Sequence, residues 1–219
     1  QKKNVSVLID AEESWIQSII DEIYENLIVK YNSKKAVVYN TVQAYRTDRL
    51  EYLKKLYQTF SSTDFHLGVK LVRGAYMEKE RQRARFLNYI DPIHKSKNDT
   101  DKCFNNCLIF MFENVELFSI FIGSHNEKSN YLALDYINKY NIKKNKVWFS
   151  QLYGMSDHIS YNLSDKGYNV AKYLPFGPFK GVIPYLFRRA EENTAIEGQT
   201  SRELFLYKKE IKRRNYSKL

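Results

Sequence analysis

Tyr185, Arg188 and Arg189, at i, i+3 and i+4 of a predicted helix, share one face and are the side chains best equipped for chemistry. Two adjacent guanidiniums beside an aromatic ring make a pocket for a small carboxylate with an apolar body. A forked guanidinium holds a carboxylate in bidentate fashion, which lysine cannot reproduce. Glu192, four residues past Arg188 and three past Arg189, is spaced to hold either one. A solvated ion-pair helix accounts for the same residues, so spacing alone leaves both readings open. A second group surrounds Lys70, the one charge in the apolar run Leu67 to Val72. A buried ammonium needs a partner or a ligand, unless its stem lines a core while its head reaches water. Immediately after it, Arg73-Gly74-Ala75-Tyr76 joins a cation and an aromatic to two small residues that let backbone approach a ligand.

These groups need elements to hold them, and the sequence alternates. Strands are predicted at Val5–Ile9, Ala36–Gln43, Leu67–Val72, Phe118–Gly123, Val147–Leu152 and Val170–Pro175. Helices are predicted at Glu12–Lys30, Thr47–Ser61, Met77–Phe86, Thr100–Glu113, Glu127–Tyr140, Asp157–Lys166 and Phe179–Asn193. Apolar strands joined through helices are βαβ units, which require a parallel sheet covered by helices. Each strand ends in a polar or aromatic cluster: Asp10-Ala11-Glu12, Gln43-Ala44-Tyr45, Arg73 to Tyr76, Ser124-His125-Asn126, Gln151 to Gly154 and Tyr173 to Gly177. Any one cluster is explained as a helix cap, as Asp10 or Ser124 illustrates. Their even spread over all strand ends favours a barrel over a doubly wound sheet, which concentrates chemistry at one or two loops. The expected class is α/β, a (βα)₈ barrel of TIM type that is incomplete, with about six units present and the first two absent. Such an open barrel leaves Val5–Ile9 and Val170–Pro175 as unpaired edges, which isolated soluble proteins avoid.

The chain has 219 residues, 43% of them hydrophobic, enough to fill the core of one sizeable domain. No apolar run is long enough to span a bilayer, and no signal-peptide pattern opens the chain. It starts almost directly in a strand without Met, so an upstream portion is expected. The net charge of +10 is scattered through Asn, Lys and Tyr-rich helix faces, and nucleic-acid binding is not expected from it. The concentrated block Lys208 to Arg214 belongs to a last helix, Thr200 to Arg214. Thr200 and Glu203 read as its capping box, and Leu204, Leu206 and Ile211 as an apolar face that packs on the barrel near a membrane. This divides the chain into a barrel, 1–198, and a basic amphipathic helix, 199–219. Cys103 and Cys107 lie four apart in one helix, with no disulfide framework and no metal set, as two half-buried thiols in a reducing compartment.

Taken together, Lys70 to Tyr76, Ser124-His125-Asn126, Gln151 to Met155 and Tyr185 to Asn193 resemble the proline dehydrogenase family. Asp10-Ala11-Glu12 and Gln43-Ala44-Tyr45 fit it in the same order, and the resemblance runs from about Val5 to Arg214. It implies a distorted (βα)₈ flavoprotein that oxidises L-proline to Δ1-pyrroline-5-carboxylate on FAD and passes electrons to membrane quinone. By position, Asp10 and Lys70 are the implied catalytic residues. Asp10 stands for the active-site carboxylate, and Lys70 stands where many members carry an Arg near flavin N5 and O4. Arg188 and Arg189 would pair with the proline carboxylate, and Tyr173 and Tyr185 would pack on its ring. Leu152 and Tyr76 join this substrate set. Ala11, Gln43, Val72, Arg73, Gly74, Ala75, Ser124, His125 and Asn126 match positions lining FAD, with Ser124 in place of a common Thr. Lys97 and Thr100 match the loop at the adenosine end, and Glu192, on the cofactor side, matches the carboxylate that orients the arginine pair.

The family also has a substrate-binding lysine on the second barrel strand, which no residue here supplies. The implied location is the cytoplasm, peripheral on the inner membrane, or the mitochondrion in a eukaryotic source. Three other readings stay open. One is a flavin-binding fragment without turnover; another is a (βα)₈ enzyme whose arginines take phosphate or another carboxylate; the last is a nucleic-acid binder using the basic C-terminal helix.

Overall fold

A computed structural model describes residues 5–195 and 199–216, and side chains for the same residues except Asn145, 188–203 and Tyr216. Six parallel strands pair in sequence order: β1 (Val7–Ile9), β2 (Val38–Gln43), β3 (Leu67–Val72), β4 (Phe118–Gly123), β5 (Val147–Leu152) and β6 (Asn169–Tyr173). Between them run α1 (Ser14–Tyr31), α2 (Arg49–Phe60), α3 (Met77–Leu87), α4 (Lys97–Glu113), α5 (Glu127–Lys139) and α6 (Asp157–Asp165). After β6 come α7 (Phe179–Ala195) and α8 (Gln199–Tyr216). Three predicted strands, β3, β4 and β5, coincide with the observed ones. β6 stops at Tyr173, because Pro175 just beyond has no N–H with which to extend the ladder.

Strand alternation divides the sheet into two faces. Leu67, Val69 and Leu71 of β3, Phe118, Ile120 and Ile122 of β4, and Val147 and Phe149 of β5 point outward. They are buried against Phe104, Leu108, Met111 and Phe112 of α4 and Ala133 and Ile137 of α5. This is the hydrophobic core, and its position follows from the two-residue period of the strands. The other set faces the concave side. Thr41, Lys70, Phe121 and Trp148 stand in register there across β2 to β5. Phe121 stacks on Trp148 with ring centroids 6.0 Å apart and meets Tyr39 edge-on at 6.4 Å. These rings form the floor beneath the polar strand ends.

The sheet is strongly curled. Six flat strands would hold β1 and β6 about 24 Å apart, at five spacings of ~4.8 Å. Yet the Tyr173 hydroxyl, at the end of β6, lies 3.4 Å from the Asp10 carboxylate just past β1. Progressive twist brings the two edges round towards each other, the geometry of an unfinished (βα)₈ barrel.

Two expectations are corrected. α4 starts at Lys97, three residues before the predicted Thr100, so Lys97 lies in its opening turn with Thr100 rather than in a loop ahead of it. Ser96 caps that helix, accepting from the Asp99 amide at 3.1 Å, so the loop ends one residue before Lys97. Cys103 and Cys107 are fully rather than half buried, because α4 turns that face into the core. α8 meets the barrel through the Tyr207 hydroxyl, which donates to Asp157 of α6 at 2.5 Å, while Leu204 and Ile211 are exposed. The Thr200 and Glu203 side chains lie outside the described residues.

Candidate active site

The sequence-predicted residues converge on the concave rim at the carboxyl ends of the strands. Lys70 points in from the centre of the sheet, its side chain only 12% exposed, and forms an ion pair with Asp10, which is half exposed. This pair reaches from β3 over β2 to the end of β1. The Lys70 ammonium also stands 5.6 Å from the centre of the Tyr173 ring, a cation–π arrangement. Tyr173 tilts against Tyr185 of α7 at 5.6 Å. One cation, one carboxylate and two phenols therefore share one cleft, and Leu152, paired with Tyr173 across β5 and β6, lies at the same level. The Arg188, Arg189 and Glu192 side chains lie outside the described residues; Tyr185, one turn earlier on α7, is within them. Tyr76 lies just ahead of α3, with its ring under the Lys79 ammonium at 5.4 Å.

Further round the rim, Arg73 is held from three sides. Its Nε donates to Asp101 at 2.6 Å, and its terminal nitrogens donate to Ser124 Oγ at 2.8 Å and Ser129 Oγ at 3.0 Å. The guanidinium plane covers the Phe104 ring at 4.4 Å. Lys97 donates to the other oxygen of Asp101 at 2.5 Å. Burial raises the pKa of Asp101, but Lys97 and Arg73 outweigh it and hold the carboxyl below its ordinary value. It is therefore ionised throughout the neutral range and fixes both cations. Two cations on one carboxylate leave a net positive charge at this end of the rim.

His125 and Asn126 follow β4. Asn126 caps α5 by accepting from the Ser129 amide at 3.1 Å. His125 Nδ1 lies 3.0 Å from Ser156 Oγ, and the Leu152 amide is directed at Nε2 from 3.5 Å. The ring is thereby held between the end of β5 and the turn that leads into α6. Ser156, the residue that precedes α6, has a left-handed backbone with φ 52°.

Gln43, at the end of β2, donates to the Glu12 carbonyl at 2.9 Å and accepts from the Ala75 amide at 3.1 Å, tying Ala11 and its neighbours to the Gly74-Ala75 turn. Gly74 has φ +136°, and a Cβ there would lie 2.3 Å from the buried Tyr45 ring. Both conditions demand glycine. Gly74→Ala should therefore lower stability by about 2 kcal/mol. An unchanged urea midpoint in that variant would show that Tyr45 yields freely.

Sequence reasoning missed Asp101, Ser129 and Ser156, and it named Tyr45 only as part of a strand-end cluster, not as the seat of Gly74. The only local signal was Asp101, four residues after Lys97 and thus on the same helical face. The other pairings join residues distant in the chain. Among the described residues, no group of three or more His, Cys, Asp or Glu could hold a metal ion, and no helix is long and apolar enough to cross a membrane.

Known proteins resemble this chain in sequence and in fold. The family model described as proline dehydrogenase matches residues 1–202. Proline dehydrogenase 1, mitochondrial, of Arabidopsis thaliana is 40% identical over 98% of this chain and 44% of its own length. The protein of the same name in Dictyostelium discoideum is 39% identical over 97% of this chain and 39% of its own. A crystal structure of proline utilization A (PutA) from Bdellovibrio bacteriovorus, inactivated by N-propargylglycine, superimposes with a TM-score of 0.84. That likeness has 28% identity and covers 93% of this chain and 21% of the other. The chain thus spans about two fifths of the length of these curated relatives.

Proposed function

The chain belongs to the proline dehydrogenase family, and we propose that it carries the proline-oxidising, FAD-binding face of such an enzyme, converting L-proline to Δ1-pyrroline-5-carboxylate. The observation that carries this reading is the largely buried Lys70 side chain, paired with Asp10 and backed by Tyr173 at the mouth of the curled sheet.

The residues present suit a flavin dinucleotide. A fixed cation belongs beside a ring system that gains negative charge on reduction, and Lys70 supplies it. Gln43 offers an amide at the next strand end. The Gly74-Ala75 turn, held by Gln43, allows backbone to come close to a planar ring. Arg73 and Lys97, with one carboxylate between them, offer net positive charge to a pyrophosphate. Ala11, Val72, Ser124, His125, Asn126 and Thr100 complete this side, and Glu192 supports it from α7. When bound, FAD supplies the acceptor for the hydride that leaves proline C5, and membrane quinone takes the electrons in turn.

The protein's part is position. Arg188 and Arg189 hold the substrate carboxylate, while Tyr173 and Tyr185, packed on one another, offer adjoining aromatic surface to its ring, with Leu152 and Tyr76 closing the pocket. A clamped substrate converts an encounter into a near-unimolecular step. Asp10 holds the Lys70 ammonium in place in the cleft, so no reorganisation is needed when negative charge develops there. The basic C-terminal unit, 199–219, joins the barrel through Tyr207 and Asp157. The protein works peripherally at a membrane, mitochondrial in a eukaryotic source, because the acceptor is dissolved in lipid.

The test is an anaerobic titration of the purified chain with L-proline while the visible flavin spectrum is followed. Co-purifying FAD that bleaches on titration is the expected result. FAD that binds without bleaching would leave a cofactor-binding segment lacking turnover, with Asp10 missing its family lysine. A colourless chain that stays so with added FAD would overturn the reading.

A further inference from the structure

Between β3 and α4 the chain leaves the helix-covered core. It runs out through α3 and returns at Ile93, which bridges to Arg46. The return is pinned to the end of β2 by the His94 amide, which donates to the Tyr45 carbonyl at 2.8 Å. The excursion therefore stands on the same rim as the Lys70 cleft. α3 buries only Glu80 and Ala84. Glu80 anchors it by accepting from the Ser14 amide at 2.6 Å and its hydroxyl at 2.7 Å. At its far end Phe86 is 87% exposed and Ile90 92%, with Leu87 between them about half exposed. Phe86 shares a shallow groove with Trp15 of α1, and Arg83 stacks on that indole at 4.4 Å. Ile19, one turn past Trp15, extends the apolar surface along α1.

Contiguous apolar side chains on a rim mark an interaction site, and their surroundings indicate the partner. Lys79, Arg81 and Lys97 pair with Glu13, Asp91 and Asp101, and Arg83, Arg85 and Lys95 are the further cations between Met77 and Lys97, where the acids left are Glu78 and the buried Glu80. The apolar groups protrude from a helix end and form no deep groove, so a peptide or helix has nothing to enter. Protruding aromatic and aliphatic residues within a cationic ring fit a surface that is apolar inside and anionic outside.

We propose that the tip of α3, with Trp15, is a docking surface for an anionic lipid bilayer. Phe86, Leu87 and Ile90 enter the acyl boundary, and Arg83, Arg85 and Lys95 meet the headgroups. The surface belongs to the excursion whose return at Ile93 and His94 is pinned to the end of β2. This deepens the reading of a lipid-soluble acceptor and rests on that reading for its purpose.

The test is co-sedimentation of the chain with vesicles of phosphatidylcholine, with and without phosphatidylglycerol. The expected result is binding to the anionic vesicles that weakens with salt. Phe86→Ser/Ile90→Ser and Arg83→Glu/Arg85→Glu should each reduce it by about tenfold or more, with circular dichroism and FAD content unchanged. Vesicle binding that survives both double variants would overturn the proposal, as would a chain that binds no vesicles. A change in the mass of the protein in solution, without vesicle binding, would also overturn it and make the surface a contact between copies. Proline-dependent reduction of a water-soluble dye tests the enzymatic reading separately. A chain that binds vesicles but leaves the dye oxidised keeps this surface and loses that reading.

Discussion

Replacing Lys70 with methionine should lower kcat for L-proline about a hundred- to a thousandfold, while KM moves only a few-fold. Methionine keeps most of the lysine stem, so the concave face stays filled and what is lost is the charge. The ammonium is largely buried, its carboxylate partner is already in place, and it lies at the end of the sheet where substrate and cofactor would meet. A fixed charge of this kind acts on charge that develops during the reaction, which is why the loss falls on kcat. Lys70→Arg should recover most of the rate, because the family resemblance places an arginine at this position in many members. A methionine variant with normal kcat would remove Lys70 from the chemistry and leave it as a strut for Asp10. FAD content must be measured alongside, since a fall in rate matched by a fall in bound flavin would mean a damaged fold.

The opposite kinetic signature is expected one strand and one helix away. Arg188→Met and Arg189→Met should each raise KM for proline about a hundredfold or more, with a smaller effect on FAD content. The expectation comes from the sequence: adjacent arginines one turn past Tyr185, a ring that packs on Tyr173. A charge-assisted hydrogen bond to a carboxylate is worth about 1.5–3 kcal/mol, and each guanidinium contributes a forked pair. The carboxylate does not change during oxidation at C5, so its clamp acts on ground and transition states alike and appears in KM. Equal loss of cofactor and activity in either variant would count against this assignment. The two experiments separate the parts: the Lys70 variant is expected to slow the step, and the arginine variants to lower occupancy.

Much of the fold was legible because its signals are periodic. β3, β4 and β5 show as short apolar runs bounded by polar clusters, and helices of regular length lie between them. Lys70 drew notice as a charge within such a run, and the structure gives it the partner that its burial demanded. What could not be read was pairing across the chain. Nothing near Arg73 in sequence announces Asp101 or Ser129, which meet it only because α4 and α5 pack on adjacent strands. The αL backbone of Ser156 and the seating of Gly74 against Tyr45 are likewise set by packing. Lys97 was expected ahead of a helix starting at Thr100 because Ser96, the cap that starts the helix three residues earlier, went unread. The α3 tip was passed over because Phe86 and Ile90 look like ordinary core residues until their exposure is known.

The curl of the sheet has a dynamic consequence. β3 is paired on both sides and packed against α4, so its amides should be among the slowest in the molecule to exchange with solvent. β1 and β6 are edge strands, short and only partly covered, and should exchange sooner. Lys70 belongs to the slow strand, whereas Asp10 and Tyr173 sit at the ends of the two fast ones. The cleft is thus a stationary cation approached by a carboxylate and a phenol from opposite, more compliant borders. Opening it for a ligand leaves the centre of the sheet undisturbed. Isotope labelling with and without proline should show the change in protection at the borders while the middle strand stays silent.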